Sequence, residues 1–177
     1  MKKIFEKLGL SEHITTELTL PKNEFIDKFK EMVDEREKGF FAGSPARPST
    51  GREEFEGKVY ENGFRVKRKK KSFEFTINEA VATGNFEQQG DKWVLKTEIS
   101  GFSRKMIPFY LFIIPFYIVF IYAFLTSPDL DTEYRTYVAL ILFSSAILMF
   151  FLPYILMRND TQSLKHDLEK EFFYILR

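Results

Sequence analysis

The sequence predicts an α+β module of one strand, one helix and an antiparallel meander, followed by a two-helix transmembrane hairpin and a C-terminal amphipathic helix. Three observations predict it. Residues 107–126 and 137–157 contain no Asp, Glu, Lys or Arg. Each stretch is about twenty residues long, and at ~1.5 Å per helical residue that length crosses the ~30 Å apolar core of a bilayer. Ahead of them, short runs of alternating polar and apolar residues are separated by turn signals, the pattern of strands with one face buried. Behind them, Leu164, Leu168, Phe172, Ile175 and Leu176 recur at helical spacing among charged neighbours, which describes an amphipathic helix. Three parts follow: a module over residues 1–103, a hairpin over 104–158 with a loop at 127–136, and a tail over 159–177.

At the N-terminus, Ile4, Phe5 and Leu8 suit a short amphipathic helix that frays at Gly9. Ile14, Thr16, Leu18 and Leu20 alternate as one face of a strand, which Pro21 ends. Asn23 is the expected cap of the next helix, with Glu24 and Asp27 in its first turn where the helix dipole favours carboxylates. Phe25, Ile26, Phe29, Met32 and Val33 then share one helical face. Residues 39–52, rich in Gly, Pro and Ser/Thr, read as an exposed connection. Strands are expected over 55–60, 64–68, 73–77, 80–87 and 93–100, with a type I′ hairpin turn at Asn62-Gly63 and a second bend at Gln89-Gly90-Asp91. The helix carrying Phe25, Phe29 and Met32 is expected to cover one face of the resulting sheet.

Charge is nearly balanced over the whole chain, at +1, but it is unevenly placed. Arg104 and Lys105 precede the first span and Arg158 follows the second, whereas Asp129, Asp131 and Glu133 make the intervening loop acidic. Basic flanks mark the cytosolic side, so both termini are expected in the cytosol and the loop outside, with a bacterial inner membrane as the expected location. Glu6, Lys7 and Glu12 interrupt any apolar core of a cleavable signal, and the first span is expected to act as the insertion signal.

The chain has no cysteine, which excludes disulfides, thiolate zinc sites and thiol nucleophiles. His13 and His166 lie at opposite ends of the sequence, and Gly43, Gly51, Gly57, Gly63, Gly84 and Gly90 match neither a dinucleotide fingerprint nor a phosphate loop. The spans hold no ionisable carboxylate or base of the sort that pumps and proton relays place in the bilayer. Pro115 and Pro153 are expected to bend the spans, and Tyr110, Tyr122, Tyr137 and Tyr154 suit interfacial anchoring. No cofactor or metal is expected.

The densest chemical feature is Arg65, Lys67, Arg68, Lys69, Lys70 and Lys71. Such a cluster on the cytosolic side attracts anionic lipid headgroups. The same residues equally describe a strand with Arg65 and Lys67 on its solvent face, Phe64 and Val66 inward, and Lys69, Lys70 and Lys71 blunting a sheet edge. Nucleic acid is not an expected partner, because no stacking aromatics interleave the cluster and the module's basic excess is small.

Phe55-Glu56-Gly57-Lys58-Val59, the run from Phe64 to Arg68, and Gly84-Asn85-Phe86 together resemble a loose group of bacterial two-pass membrane proteins with no established activity, in which a small β-rich cytosolic module runs into a hydrophobic hairpin. The resemblance covers about residues 53–126 and implies architecture only. The function expected is therefore non-enzymatic: an integral membrane protein whose module binds a protein partner or the inner-leaflet surface. The alternative is an accessory subunit of a transporter or other membrane complex that uses the hairpin as its contact surface. The tail is expected to dock back on the module near Phe29 and Met32, with the headgroup layer as its competitor.

Overall fold

The computed structural model describes residues 2–34, 54–69, 79–102, 106–126 and 132–177. Helix α1 (Lys2–Lys7) leads to β1 (Ser11–Glu17), α2 (Lys22–Lys30) and the two-residue strand β2 (Val33–Asp34). Strands β3 (Phe55–Tyr60), β4 (Gly63–Arg68), β5 (Val81–Gln89) and β6 (Lys92–Ser100) follow, then the long helices α3 (Met106–Thr126) and α4 (Thr132–Leu176). The strand expected over 73–77 and the connection at 39–52 lie outside the described residues.

The strands form one six-stranded sheet in the order β1-β6-β5-β4-β3-β2. All neighbours are antiparallel except β2 and β3, so the sheet is mixed rather than a pure meander. The reason is local. The α2 helix stops at Lys30, and Val33 leaves the helical face expected for it to pair beside Phe55. Asn23 sits inside α2 and not at its cap, because the helix starts one residue earlier behind Pro21.

Hairpin turns follow the close approaches of the backbone. Tyr60 pairs with Gly63, which leaves Glu61 and Asn62 as the turn, and neither Asn62 nor Gly63 has a positive φ. The expected type I′ geometry is therefore absent. Gly63 is required for another reason: a Cβ there would lie 2.1 Å from the carbonyl oxygen of Gly84. At the β5–β6 turn, Gly90 has φ +63° and Asp91 does not follow it into that region, the pattern of a type II′ turn with Gly first.

Residues opposite one another in the register share a face. Ile14, Phe55, Val59, Phe64, Val66, Ala82, Leu95 and Ile99 lie on the face covered by α2 and by the C-terminal part of α4, and all are buried. At the centre of this interface four rings converge. Phe29 lies 4.8 Å from Phe64 and 5.7 Å from Phe172, and Phe25 lies 5.6 Å from Phe172, between ring centroids. Leu164, Leu168 and Ile175 extend the same stripe along α4. The tail thus docks on the module beside Phe29, as its apolar spacing predicts.

That tail is not a separate helix. One helix of 45 residues runs through Arg158 without a break. No Gly or Pro occurs between Tyr154 and Leu176, so two segments that each favour helix join by propagation, which costs far less than new nucleation. At the junction Thr161 is fully buried, and its hydroxyl donates to the Met157 carbonyl at 2.8 Å. Gly101 packs so close to it that a Cβ would lie 2.0 Å from Thr161 Oγ1.

Both α3 and the first part of α4 are long and apolar enough to cross a membrane, and their side chains are largely uncovered. Leu111 and Phe112 are each 73% exposed. The two helices meet along an aromatic seam, with Tyr110 and Tyr117 against Phe150, and Tyr117 donating to the Ser145 hydroxyl at 3.0 Å. Towards the loop end a cleft of about 550 Å³ lies between Phe124, Leu125, Arg135, Ala139, Leu140 and Phe143.

Leu168 is fully buried and Phe173 is 62% exposed on the same helix. Leu168→Ala should therefore lower unfolding stability by about 2–5 kcal/mol. Phe173→Ala should change it by no more than about 0.5 kcal/mol. Denaturation in mild detergent, followed through the single Trp93, measures both. At the junction, Gly101→Ala should cost more than Gly90→Ala, although only Gly90 has a strained φ, because nothing lies within 4 Å of a Cβ at Gly90.

Candidate functional site

Among the described residues no helix covers the second face of the sheet, and its residues are mostly polar. Four rows cross it, the one towards the β5–β6 turn being Glu17, Val94 and Glu87, with Val94 buried. Ser11, Ser100, Val81, Lys67, Glu56 and Asp34 lie opposite one another in the first. His13, Glu98, Thr83, Arg65 and Lys58 form the second, and Thr15, Lys96, Asn85 and Gly63 the third. The first row is nearest the apolar helices, since Ser100 leads through Gly101 and Phe102 to α3. An antiparallel sheet commonly leaves one side to solvent, with alternation placing polar residues there. A shallow concavity of about 390 Å³ lies on this face, lined by His13, Thr15, Thr83, Asn85, Glu87, Lys96 and Glu98.

Ion pairs order the surface. Lys96 reaches Glu87 at 2.5 Å, Lys92 reaches Glu17 at 3.2 Å, and His13 Nε2 lies 3.1 Å from Glu6. The exposed pairs add little stability individually, but they fix long side chains in an alternating pattern of charge. Among the described residues no cluster of three or more His, Asp or Glu side chains comes together to hold a metal. The arrangement offers hydrogen bonding and charge recognition across a shallow surface.

The described residues of the basic cluster singled out by the sequence are spread over both faces of the sheet. Arg65 is exposed on the open face. Lys67 bridges Glu79 at 2.9 Å and Glu56 at 3.7 Å. Burial alone pulls the Lys67 ammonium down, but the two carboxylates outweigh it and raise its pKa above the ordinary lysine value. Arg68 has the opposite orientation: it pairs in register with Phe55 on the helix-covered face and meets Asp167 of α4 at 3.2 Å. Lys69 meets the buried Asp34 at 3.1 Å. Lys69 follows the end of β4, an interior strand, and its partner belongs to the edge strand β2. Lys70 and Lys71 lie outside the described residues.

Two features escaped the sequence. The open face draws its polar residues from all six strands, and only register brings His13, Thr83 and Lys96 together. Glu171 on α4 is buried, and its carboxyl is raised above the ordinary range by burial first and by the nearby charge of Glu54 and Asp167, with Lys170 opposing. A neutral residue at this helical position would have been the natural expectation.

No protein-family model, curated protein or solved structure matches this chain.

A raised carboxyl pKa means that the fold disfavours the ionised form. The cost is complete above the folded pKa and disappears as pH falls below the ordinary glutamate value of 4.5. Glu171→Gln should therefore raise the melting temperature at pH 7, and the gain should shrink to nothing towards pH 4. Thermal unfolding of the two proteins across that range measures it.

Proposed function

We propose that this chain is a two-pass membrane protein without catalytic activity of its own, in which a cytosolic six-stranded module is held rigidly on the bilayer and binds a partner protein through its open sheet face. Helices α3 and α4 are the spans, and both termini are cytosolic. The continuity of α4 carries the reading. The helix whose first part has the exposed apolar surface of a lipid-facing segment supplies, in its last part, Leu164, Leu168 and Phe172 to the module's core. A flexible tether would let the module tumble; a shared helix sets its height and orientation. The covered face is thereby occupied by α4 and α2, which leaves the polar face for a partner. Its shallow relief and paired charges suit a protein surface better than a small molecule, which favours deeper and more apolar pockets.

Topology is tested by reporter fusions after Arg104, within the loop at Asp131 and after Arg177, which should read inside, outside and inside. Any other order removes the membrane arrangement. For the binding surface, partners retained in mild detergent should be lost on Thr83→Arg together with Lys96→Glu, and kept when the lipid-facing residues of the hairpin are exchanged for other apolar residues. The reverse result would favour the accessory-subunit reading, in which the uncovered sides of α3 and α4 are the contact surface.

A further inference from the structure

Basic residues near the foot of the module fall into two groups. Lys67, Arg68 and Lys69 are each answered by carboxylates, namely Glu79 with Glu56, Asp167, and Asp34. Lys7 and Arg158 are exposed, and among the described residues neither enters an ion pair. Arg158 also lies against the turn that directly follows Lys7. Helix α1 ends in a Schellman turn, with the Gly9 amide donating to the Glu6 carbonyl at 3.0 Å, the Leu10 amide to Phe5 at 2.9 Å, and Gly9 at φ +67°. The Arg158 side chain packs against that turn, its Nε 3.3 Å from where a Cβ on Gly9 would lie.

This turn is fixed to the apolar helix pair. The Tyr154 hydroxyl donates to the Leu8 carbonyl at 2.9 Å, and Leu10 packs with Met106 and Met157. Phe5 stacks on Phe102 at 5.1 Å. Met106 begins α3, and Met157 ends the uncharged stretch of α4. The turn therefore sits level with the end of the apolar zone of both helices. Leu8, between Lys7 and Gly9, is 42% exposed at that level.

We infer that this collar, made of Lys7, Leu8 and Arg158, binds anionic phospholipid headgroups of the leaflet next to the module. The inference rests on the membrane arrangement proposed above. An exposed apolar side chain flanked by cations matches the boundary between acyl chains and headgroups, where the leucine enters the apolar side and the basic heads remain at the phosphates. Charge complementarity selects anionic lipid. An acidic protein segment would match the charges but leave Leu8 in water. The sequence draws attention to the denser run of Arg65 to Lys71; the ion pairs of Lys67, Arg68 and Lys69 are what move the assignment to α1.

The test uses the full chain in nanodiscs of phosphatidylcholine alone and of phosphatidylcholine with phosphatidylglycerol, with thermal unfolding as the readout. Phosphatidylglycerol should raise the melting temperature, and salt should reduce that increment by screening. Lys7→Gln with Arg158→Gln should cut the increment by more than half. Lys7→Arg with Arg158→Lys should keep it, and so should Arg65→Gln. A polarity-sensitive dye on Leu8→Cys should shift to the blue on reconstitution, and more so with phosphatidylglycerol. An increment unchanged in the double Gln variant, lost in Arg65→Gln, or absent from the wild type overturns the inference. Should the Gln variant fail to fold, an unshifted dye in the otherwise native chain overturns it equally. Failure of the chain to enter bilayers at all would instead remove the membrane arrangement; entry with indifference to phosphatidylglycerol removes the collar alone.

Discussion

The insertion of Phe172 between Phe25, Phe29 and Phe64 is the contact on which the module depends. Without α4 the sheet and α2 would expose the rings that now meet it, together with the surface under Leu164 and Leu168. Fully burying each such side chain is worth about 1.5–3 kcal/mol, and a domain's net stability is only about 5–15 kcal/mol. The module therefore cannot be regarded as complete without the C-terminal part of α4. Its core joins α2 to Leu164, Leu168, Phe172 and Ile175 of α4, so its final packing waits until α4 has been synthesised.

This constraint also explains the asymmetry of the sheet. Two helices occupy one face, and the short α2 with its ring pair leaves room for α4 to lie beside it. Among the described residues no helix covers the other face, which is mostly polar. Lys22 at the start of α2 lies over the Trp93 ring at 4.7 Å, which shields an aromatic edge that would otherwise face water. Buried Thr97 is the exception on the covered face: its hydroxyl has no hydrogen-bond partner among the described residues, and it stands opposite Gly84, where a side chain would strike Phe64. The packing around the rings has been kept there at the expense of one polar group.

Electrostatics divides along the same lines. Arg68 and Lys165 tie the sheet to α4 through Asp167 and Glu12, at 3.2 Å and 3.1 Å, whereas Lys67 and Lys69 tie strand ends to one another. A run that looks like one cationic patch in sequence is distributed over two faces because successive residues of a strand point to opposite sides. Charge density along the chain is thus a poor guide to charge density on the surface. Lys7 and Arg158, neither in an ion pair among the described residues, are far apart in sequence, and Arg158 reaches the turn that follows Lys7 because Tyr154 and Met157 hold α1 against α4.

Periodicity and turn chemistry made much of this architecture legible. The two long uncharged stretches, the alternation through β1, β3, β4, β5 and β6, and the helical spacing of Leu164, Leu168 and Phe172 each follow from local patterns of apolar residues. The inward set of β4, Phe64 and Val66, was legible for the same reason. Strand order, the parallel pairing of β2 with β3 and the partners of each lysine were not, because they depend on which distant segments meet. Hydropathy falls at Arg158 and suggests a boundary there, yet hydrogen bonding along a helix is indifferent to hydropathy, and α4 continues through it. The sequence by itself determined which residues must leave water. Only the tertiary structure decided what covers them, since burial depends on chain segments more than a hundred residues apart, as Phe25 and Phe172 are.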